Sequence, residues 1–239
     1  MEKYNLMKTT IWSFPDRGTW ATHKGDYRGN WSPHVPKNLI LKYTKQGDLV
    51  FDGFLGSGTT AIEAKLLGRN FIGVDINKNA LEITSSRLKF ESDFDCDVQL
   101  RLGTSEKLSF IDDSSVDFIC THPPYADIIQ YSDSIDGDLS LLEHSNFVFR
   151  MENVAREYKR ILKKNSICTF MIGDIRKRGN FIPLGFLTMQ KFIKVGFTLK
   201  EIIIKEQHNC KSSNYWKNRS NNFYLIAHEY IFIFINDLL

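Results

Sequence analysis

Residues 51–75 read FDGFLGSGTTAIEAKLLGRNFIGVD, and this stretch decides the fold. With Leu49 and Val50 before it, Phe51-Asp52 closes an apolar run that reads as a buried strand. TTAIEAKLLG (59–68) reads as a helix that stops at Gly68, and NFIGVD (70–75) as a second strand. Between the first strand and the helix lies a turn carrying Gly53, Gly56 and Gly58. Glycines allow a turn too tight for side chains, so a ligand can approach the backbone and the start of the helix. Asp75 stands at the tip of the second strand, where a carboxylate can accept hydrogen bonds from both hydroxyls of a ribose.

Working outward, the alternation persists. PKNLILKYT (36–44) has helical spacing, and the segment before it is aromatic and loop-like, with Trp12, Phe14, Trp20 and Trp31. Downstream, the pattern predicts helices from about Lys78 to Lys89, Phe147 to Leu162 and Leu184 to Val195. It predicts strands near 97–102, 114–121 and 166–174, then two β-rich runs at 197–205 and 223–235. Strands alternating with helices predict an α/β fold: a mostly parallel sheet with helices on both faces, closed at one edge by an antiparallel C-terminal hairpin. No repeat or linker divides the chain, which predicts a single domain over 1–239. Within it, 1–45 is a cap segment, 46–110 a cofactor-binding half, and 111–239 a half for chemistry and nucleic acid.

The composition narrows the class. A quarter of the 239 residues are charged without a long run of one sign, which describes a globular chain rather than a disordered one. The net charge of +3 suits a polyanion partner without demanding one. Cys96, Cys120, Cys168 and Cys210 lack paired metal-ligand spacing, so reduced structural cysteines are expected and no metal site. The N-terminus lacks the apolar core of a signal peptide, and the longest apolar stretch is broken by His228 and Glu229. A cytoplasmic protein away from membranes is expected.

The turn also selects its ligand. Its glycines follow GxxGxG, whereas the dinucleotide fingerprint is GxGxxG. Asp52 places a carboxylate at the turn, which would repel a pyrophosphate but suits an ammonium and a sulfonium. S-adenosylmethionine carries both. The residues expected to hold it are Asp52, Gly53, Phe54, Gly56, Gly58, Thr59, Asp75, Ile76 and Thr104.

A second cluster, Thr121-His122-Pro123-Pro124-Tyr125, follows the strand at 114–121. Two successive prolines fix the backbone and remove two N–H groups, leaving carbonyls free to accept from an incoming NH2. The amino lone pair of adenine or cytosine is delocalised into the ring. Acceptors on its hydrogens favour a pyramidal nitrogen and stabilise the charge that develops as it attacks a methyl group. Tyr125 offers a flat face on which a base can stack.

FDGFLGSGTT and THPPY together resemble the first and fourth motifs of the DNA amino-methyltransferases, which modify adenine-N6 or cytosine-N4. HEYIFIF (228–234) resembles the strand that closes their sheet, so the resemblance runs from about Trp12 to Ile235. It implies a Rossmann-like class I methyltransferase fold of seven strands, and a target base flipped into a pocket formed by His122, Pro123, Pro124 and Tyr125. It also implies an N-terminal segment (about 20–45) covering the methionine end of the cofactor. Two positions depart from the family. His122 stands where Asp, Asn or Ser is usual, removing the usual hint about which base is modified. Near Gly103-Thr104, where an acidic residue often binds the cofactor's adenine, Thr104, Ser105 or Glu106 must substitute. An RNA guanine-N2 methyltransferase and a degenerate cofactor-binding subunit are the alternatives.

Two segments are candidates for holding nucleic acid. One carries Arg176, Lys177 and Arg178 after a strand end; the other carries Lys211, Trp216, Lys217 and Arg219 between the last two strands. The partner expected is double-stranded DNA, with a cognate restriction enzyme as a second, and the protein a monomer or homodimer.

Overall fold

The structure is a computed structural model and describes residues 4–208 and 222–237. Its strands and helices are β1 (Ile11–Trp12), α1 (His34–Tyr43), β2 (Leu49–Asp52), α2 (Thr59–Leu66), β3 (Asn70–Asp75), α3 (Lys78–Arg87), β4 (Val98–Leu102) and β5 (Val116–Thr121), followed by α4 (His144–Ile161), β6 (Leu162–Ile172), β7 (Ile175–Lys177), β8 (Asn180–Ile182), α5 (Leu184–Val195), β9 (Thr198–Glu206) and β10 (His228–Ile235).

Among the described residues, the main sheet has eight strands in the order β1-β9-β10-β6-β5-β2-β3-β4. Pairing is parallel from β6 to β4. Only β10 runs antiparallel to its neighbours, β6 and β9. The seven expected strands are therefore present, and the two-residue β1 adds an eighth, parallel to β9.

Successive side chains of a strand point to opposite faces, and here both faces are apolar. Phe51, Ile119, Phe170 and Phe232 join a core with Met151, Ala155 and Tyr158 of α4 and Phe192 of α5. Their neighbours Val50, Phe118, Met171 and Ile231 pack with Val35, Leu39 and Ile40 of α1 and with Ala61 and Ala64 of α2. A sheet covered on both faces leaves its strand ends as the place for a ligand. From β2 the chain steps to β3 on one side, while β5 pairs with β2 on the other. At such a switch point the loops leave in opposite directions, and a crevice opens beyond the carboxyl ends of the strands.

The N-terminal segment reaches this crevice by a polar anchor. Glu63 of α2 is fully buried; its Oε1 accepts from Trp20 Nε1 at 2.6 Å and lies 2.8 Å from His23 Nε2. The guanidinium of Arg17 donates to the carbonyl of Trp31 at 3.0 Å, tying the two ends of the segment together.

One local expectation is corrected. The run 223–235 enters the sheet only at His228. The basic segment expected after the strand end at 174 forms the hairpin β7–β8, turning through Arg178 and Gly179, both at positive φ. Among the described residues no helix is long and apolar enough to cross a membrane.

Candidate functional site

Two cavities lie at the carboxyl ends of the central strands. The first is lined by the glycine turn (Asp52, Gly53, Phe54, Gly56, Thr59), the β3 end (Asp75, Ile76), Thr104 with Ser105, and Tyr27 and Trp31 of the N-terminal segment. The expected cofactor residues are thereby brought together, except Gly58, which stands behind the cleft as the cap of α2. Gly58 has φ +81°, and a Cβ there would lie 2.5 Å from Thr84, so only glycine lets α2 start this close to α3. Glu106 turns away from the cleft to pair with Arg150 and Asn153, leaving Thr104 and Ser105 at this wall.

Asp52 is more constrained than its place in the sequence suggests. Its Oδ1 accepts from Thr121 Oγ1 at 2.6 Å and from the Phe54 amide at 3.0 Å; its Oδ2 accepts from Thr60 Oγ1 at 2.6 Å. The carboxylate thus clamps β2, β5 and α2 at the switch point. Burial pushes its pKa up to about 6, against the lowering effect of these hydrogen bonds. Asp75 is likewise half committed: Gly56 N donates to its Oδ2 at 2.8 Å and Asn77 N to its Oδ1 at 2.9 Å. Burial raises its pKa too. Each carboxylate oxygen can accept more than one bond, so Asp75 holds the turn in shape and still faces the cleft.

The donor set around the cleft discriminates between nucleoside ligands. Asp52, Asp75 and Asp138 line it, with no Lys or Arg among its described lining residues. A phosphate-bearing cofactor would meet only negative charge, whereas a sulfonium with an ammonium would be matched. The residues present fit S-adenosylmethionine.

The second cavity is lined by Pro123, Tyr125, Ile128 and Ile175, with Arg176 and Arg178 among its lining residues. Gly29, His122, Pro124 and Tyr131 line both cavities, so the Pro-Pro-Tyr loop forms the wall between them. His122 is sandwiched there. Trp31 stacks on its ring (centroids 5.3 Å apart, planes at 19°), and Tyr125 meets it edge-on. Burial pushes its pKa down to about 4, so at neutral pH it is an uncharged imidazole able to accept a hydrogen bond.

Of the basic residues, Arg176 holds its guanidinium 4.1 Å from the Phe223 ring and donates to the carbonyl of Gly179. Arg178 is exposed at the hairpin tip. Lys177 points elsewhere, its ammonium 2.5 Å from Asp127 and 3.7 Å from Glu143. Lys211, Trp216, Lys217 and Arg219 lie outside the described residues.

Sequence reasoning missed several participants. Tyr27 and Tyr131, stacked with centroids 6.1 Å apart, both line the first cavity. Glu229 lies behind Tyr125 and pairs with Lys205 at 3.0 Å. Burial works to raise the pKa of Glu229, yet Lys205 holds it below the ordinary value. The signal for Glu229 was available: a carboxylate inside HEYIFIFI, an otherwise apolar strand, is costly without a partner.

The architecture is that of the class I methyltransferases. A solved S-adenosylmethionine-dependent methyltransferase of Methanosarcina mazei superposes with a TM-score of 0.57 at 15% identity, over 84% of this chain and 98% of its own. The cyclase SpnF does so with a TM-score of 0.59 at 12% identity, over 90% and 86%. A cyclase on this architecture shows that the fold alone does not fix the reaction. The sequence is more specific: the chain belongs to the DNA methylase family of N6/N4 methyltransferases, matching the family model over residues 2–86 and 116–237. It is similar to the Type II methyltransferase M2.DpnII of Streptococcus pneumoniae, 49% identical over 60 residues, which are 25% of this chain and 22% of that one. It is also similar to the Type II methyltransferase M2.MboI of Moraxella bovis, 35% identical over 92 residues, 35% and 34% of the two chains. The chain thus spans about a third or less of the length of these two curated relatives.

Proposed function

We propose that the protein transfers a methyl group from S-adenosylmethionine to the exocyclic amino group of adenine (N6) or cytosine (N4) in double-stranded DNA, at a specific site. The observation that carries this reading is the shared wall. An acidic cleft suited to a cationic nucleoside and an apolar cavity edged by two arginines meet at His122 and Pro124. A group donated from one side can reach an acceptor on the other without crossing water.

The residues that would hold the cofactor are Asp75 at the ribose, Ile76 and Thr104 beside the adenine, and Asp52 with the Gly53–Gly56 turn at the methionine end. S-adenosylmethionine, when bound, supplies an electrophilic methyl group. The chain's own residues supply the rest. Tyr125 lines the second cavity and offers its ring as the stacking surface for a base turned out of the duplex. His122 and the carbonyls of the proline loop accept the amino hydrogens. This would localise the lone pair on nitrogen and stabilise the positive charge that grows there as the nitrogen–carbon bond forms and the methyl–sulfur bond breaks. The methylated nitrogen then loses its surplus proton to solvent. No deprotonation is needed before attack, so a neutral His122 suffices.

Arg176 and Arg178 at the mouth of the second cavity suit phosphates flanking that base. We also infer a restriction enzyme of matching specificity as a further partner; two relatives named Type II methyltransferases support this reading. The test is transfer of tritiated methyl from S-adenosylmethionine to mixed duplex DNA and, separately, to total RNA. Label in DNA supports the reading; label confined to RNA replaces it with an RNA methyltransferase.

A further inference from the structure

Behind the loop that forms the shared wall runs a chain of hydrogen bonds with no part yet in the proposed transfer. Lys205 of β9 donates to Glu229 Oε2 at 3.0 Å. The hydroxyl of Tyr125 donates to Glu229 Oε1 at 2.7 Å, and His122 Nε2 lies 2.9 Å from that same hydroxyl oxygen. Glu229 and Lys205 sit opposite each other on β10 and β9, the antiparallel edge of the sheet. Glu229 is 8% exposed, and the Lys205 side chain 12%.

Direction along this chain is forced from one end. A carboxylate paired with an ammonium only accepts, so the single hydrogen of the Tyr125 hydroxyl is committed to Glu229. The hydroxyl oxygen then has only lone pairs to offer His122, and Nε2 must carry the hydrogen of their bond. A neutral imidazole protonated at Nε2 has its lone pair at Nδ1. Among the described residues, no hydrogen bond occupies Nδ1 of His122. The ring is held by Trp31 at the wall shared by both cavities.

We propose that Glu229, charge-balanced by Lys205, is a positioning residue that acts through the Tyr125 hydroxyl to lock His122 in its Nε2–H tautomer and so present an Nδ1 acceptor to the target amino group. It would solve the problem posed by His122. Aspartate and serine oxygens accept whatever their neighbours do, whereas a histidine accepts at the required nitrogen only if its proton is fixed at the other. The proposal rests on amino-group methylation as the reaction, and it gives Tyr125 a second task beside stacking, carried by its hydroxyl.

The experiment follows the ring nitrogens of His122 by 15N-resolved NMR of histidine-labelled protein near neutral pH, with His122→Asn to assign its signals. Methyl transfer to duplex DNA and cofactor affinity by calorimetry are measured alongside. The wild type is expected to show a neutral Nε2–H ring. In Glu229→Gln the amide can donate to the Tyr125 oxygen, which frees the hydroxyl hydrogen for His122 and brings in the Nδ1–H tautomer. In Tyr125→Phe, which keeps the ring and removes only the hydroxyl, the lock is lost and both tautomers appear. Both variants are expected to lose turnover by on the order of ten- to a hundredfold, with cofactor affinity unchanged. If Glu229→Gln does not fold, Tyr125→Phe alone decides. An Nδ1–H ring in the wild type, or unchanged tautomer or turnover in the folded variants, overturns the proposal. A wild type that methylates no DNA instead sinks the reading of function, while the NMR spectra still decide whether the lock exists.

Discussion

At the scale of single residues, the cleft proposed for the cofactor is lined in part by two aspartates with different hydrogen-bond partners. The place of Asp75 at the cleft is legible because a carboxylate after NFIGV at a strand tip faces the crevice by position alone. Its grip on Gly56 and Asn77 is not, since a backbone hydrogen bond leaves no mark on side-chain pattern. Asp75→Ala is expected to weaken S-adenosylmethionine binding by about ten- to a hundredfold, the worth of lost hydrogen bonds to a charged group, as read by calorimetry. Asp52 adds a pH signature. Its folded pKa of about 6 is raised by burial above the ordinary value, so the fold itself favours the protonated form. That contribution to stability is complete below the unfolded pKa and is lost as pH rises through about 6. Binding of a cation runs the other way. Affinity is expected to be flat near neutrality and to fall as the pH drops through about 6, a dependence that Asp52→Asn removes. A titration that gives the same profile in both proteins would take Asp52 out of the binding electrostatics.

At the scale of elements, the long periodic segments read correctly: α5 occupies the expected 184–195, and β2 and β3 end at the two aspartates. The departures have physical causes. Residues 223–227 carry strand-like Phe, Tyr, Leu and Ile, but Phe223, Leu225 and Ile226 line the second cavity before the sheet begins. Each strand of the β7–β8 hairpin is three residues long, too short for a period of two to show. The N-terminal segment before α1 has no periodicity, because it is fixed by single buried side chains, Trp12 and Trp31, and by the polar anchor at Glu63. Glu63→Ala strands the donors of Trp20 and His23 in the core. Urea unfolding is expected to show a loss of about 2–4 kcal/mol, whereas an unchanged midpoint would mean that the segment is held by packing alone.

At the scale of the whole molecule, the class of fold was legible because the hydrophobic period switches between strand and helix along almost the entire chain. The division into two cavities was not, since it depends on where loops distant in sequence converge. With a net charge of only +3, the proposed affinity for DNA would have to come from local placement of cations rather than from a general field. Arg178→Ala, at the exposed hairpin tip, is expected to weaken binding to all duplexes alike and to reduce the slope of log affinity against log salt by about 1. A loss confined to one sequence would make Arg178 a base reader instead.

In the proposed reaction the nitrogen outside the ring of a DNA base receives the methyl group. Duplex DNA incubated with the protein and isotopically labelled S-adenosylmethionine, then digested to nucleosides and weighed by mass spectrometry, tests it most directly. Label is expected in N6-methyladenine or N4-methylcytosine, and either one also names the base that His122 serves. Label in 5-methylcytosine, or none in DNA despite bound cofactor, would contradict it.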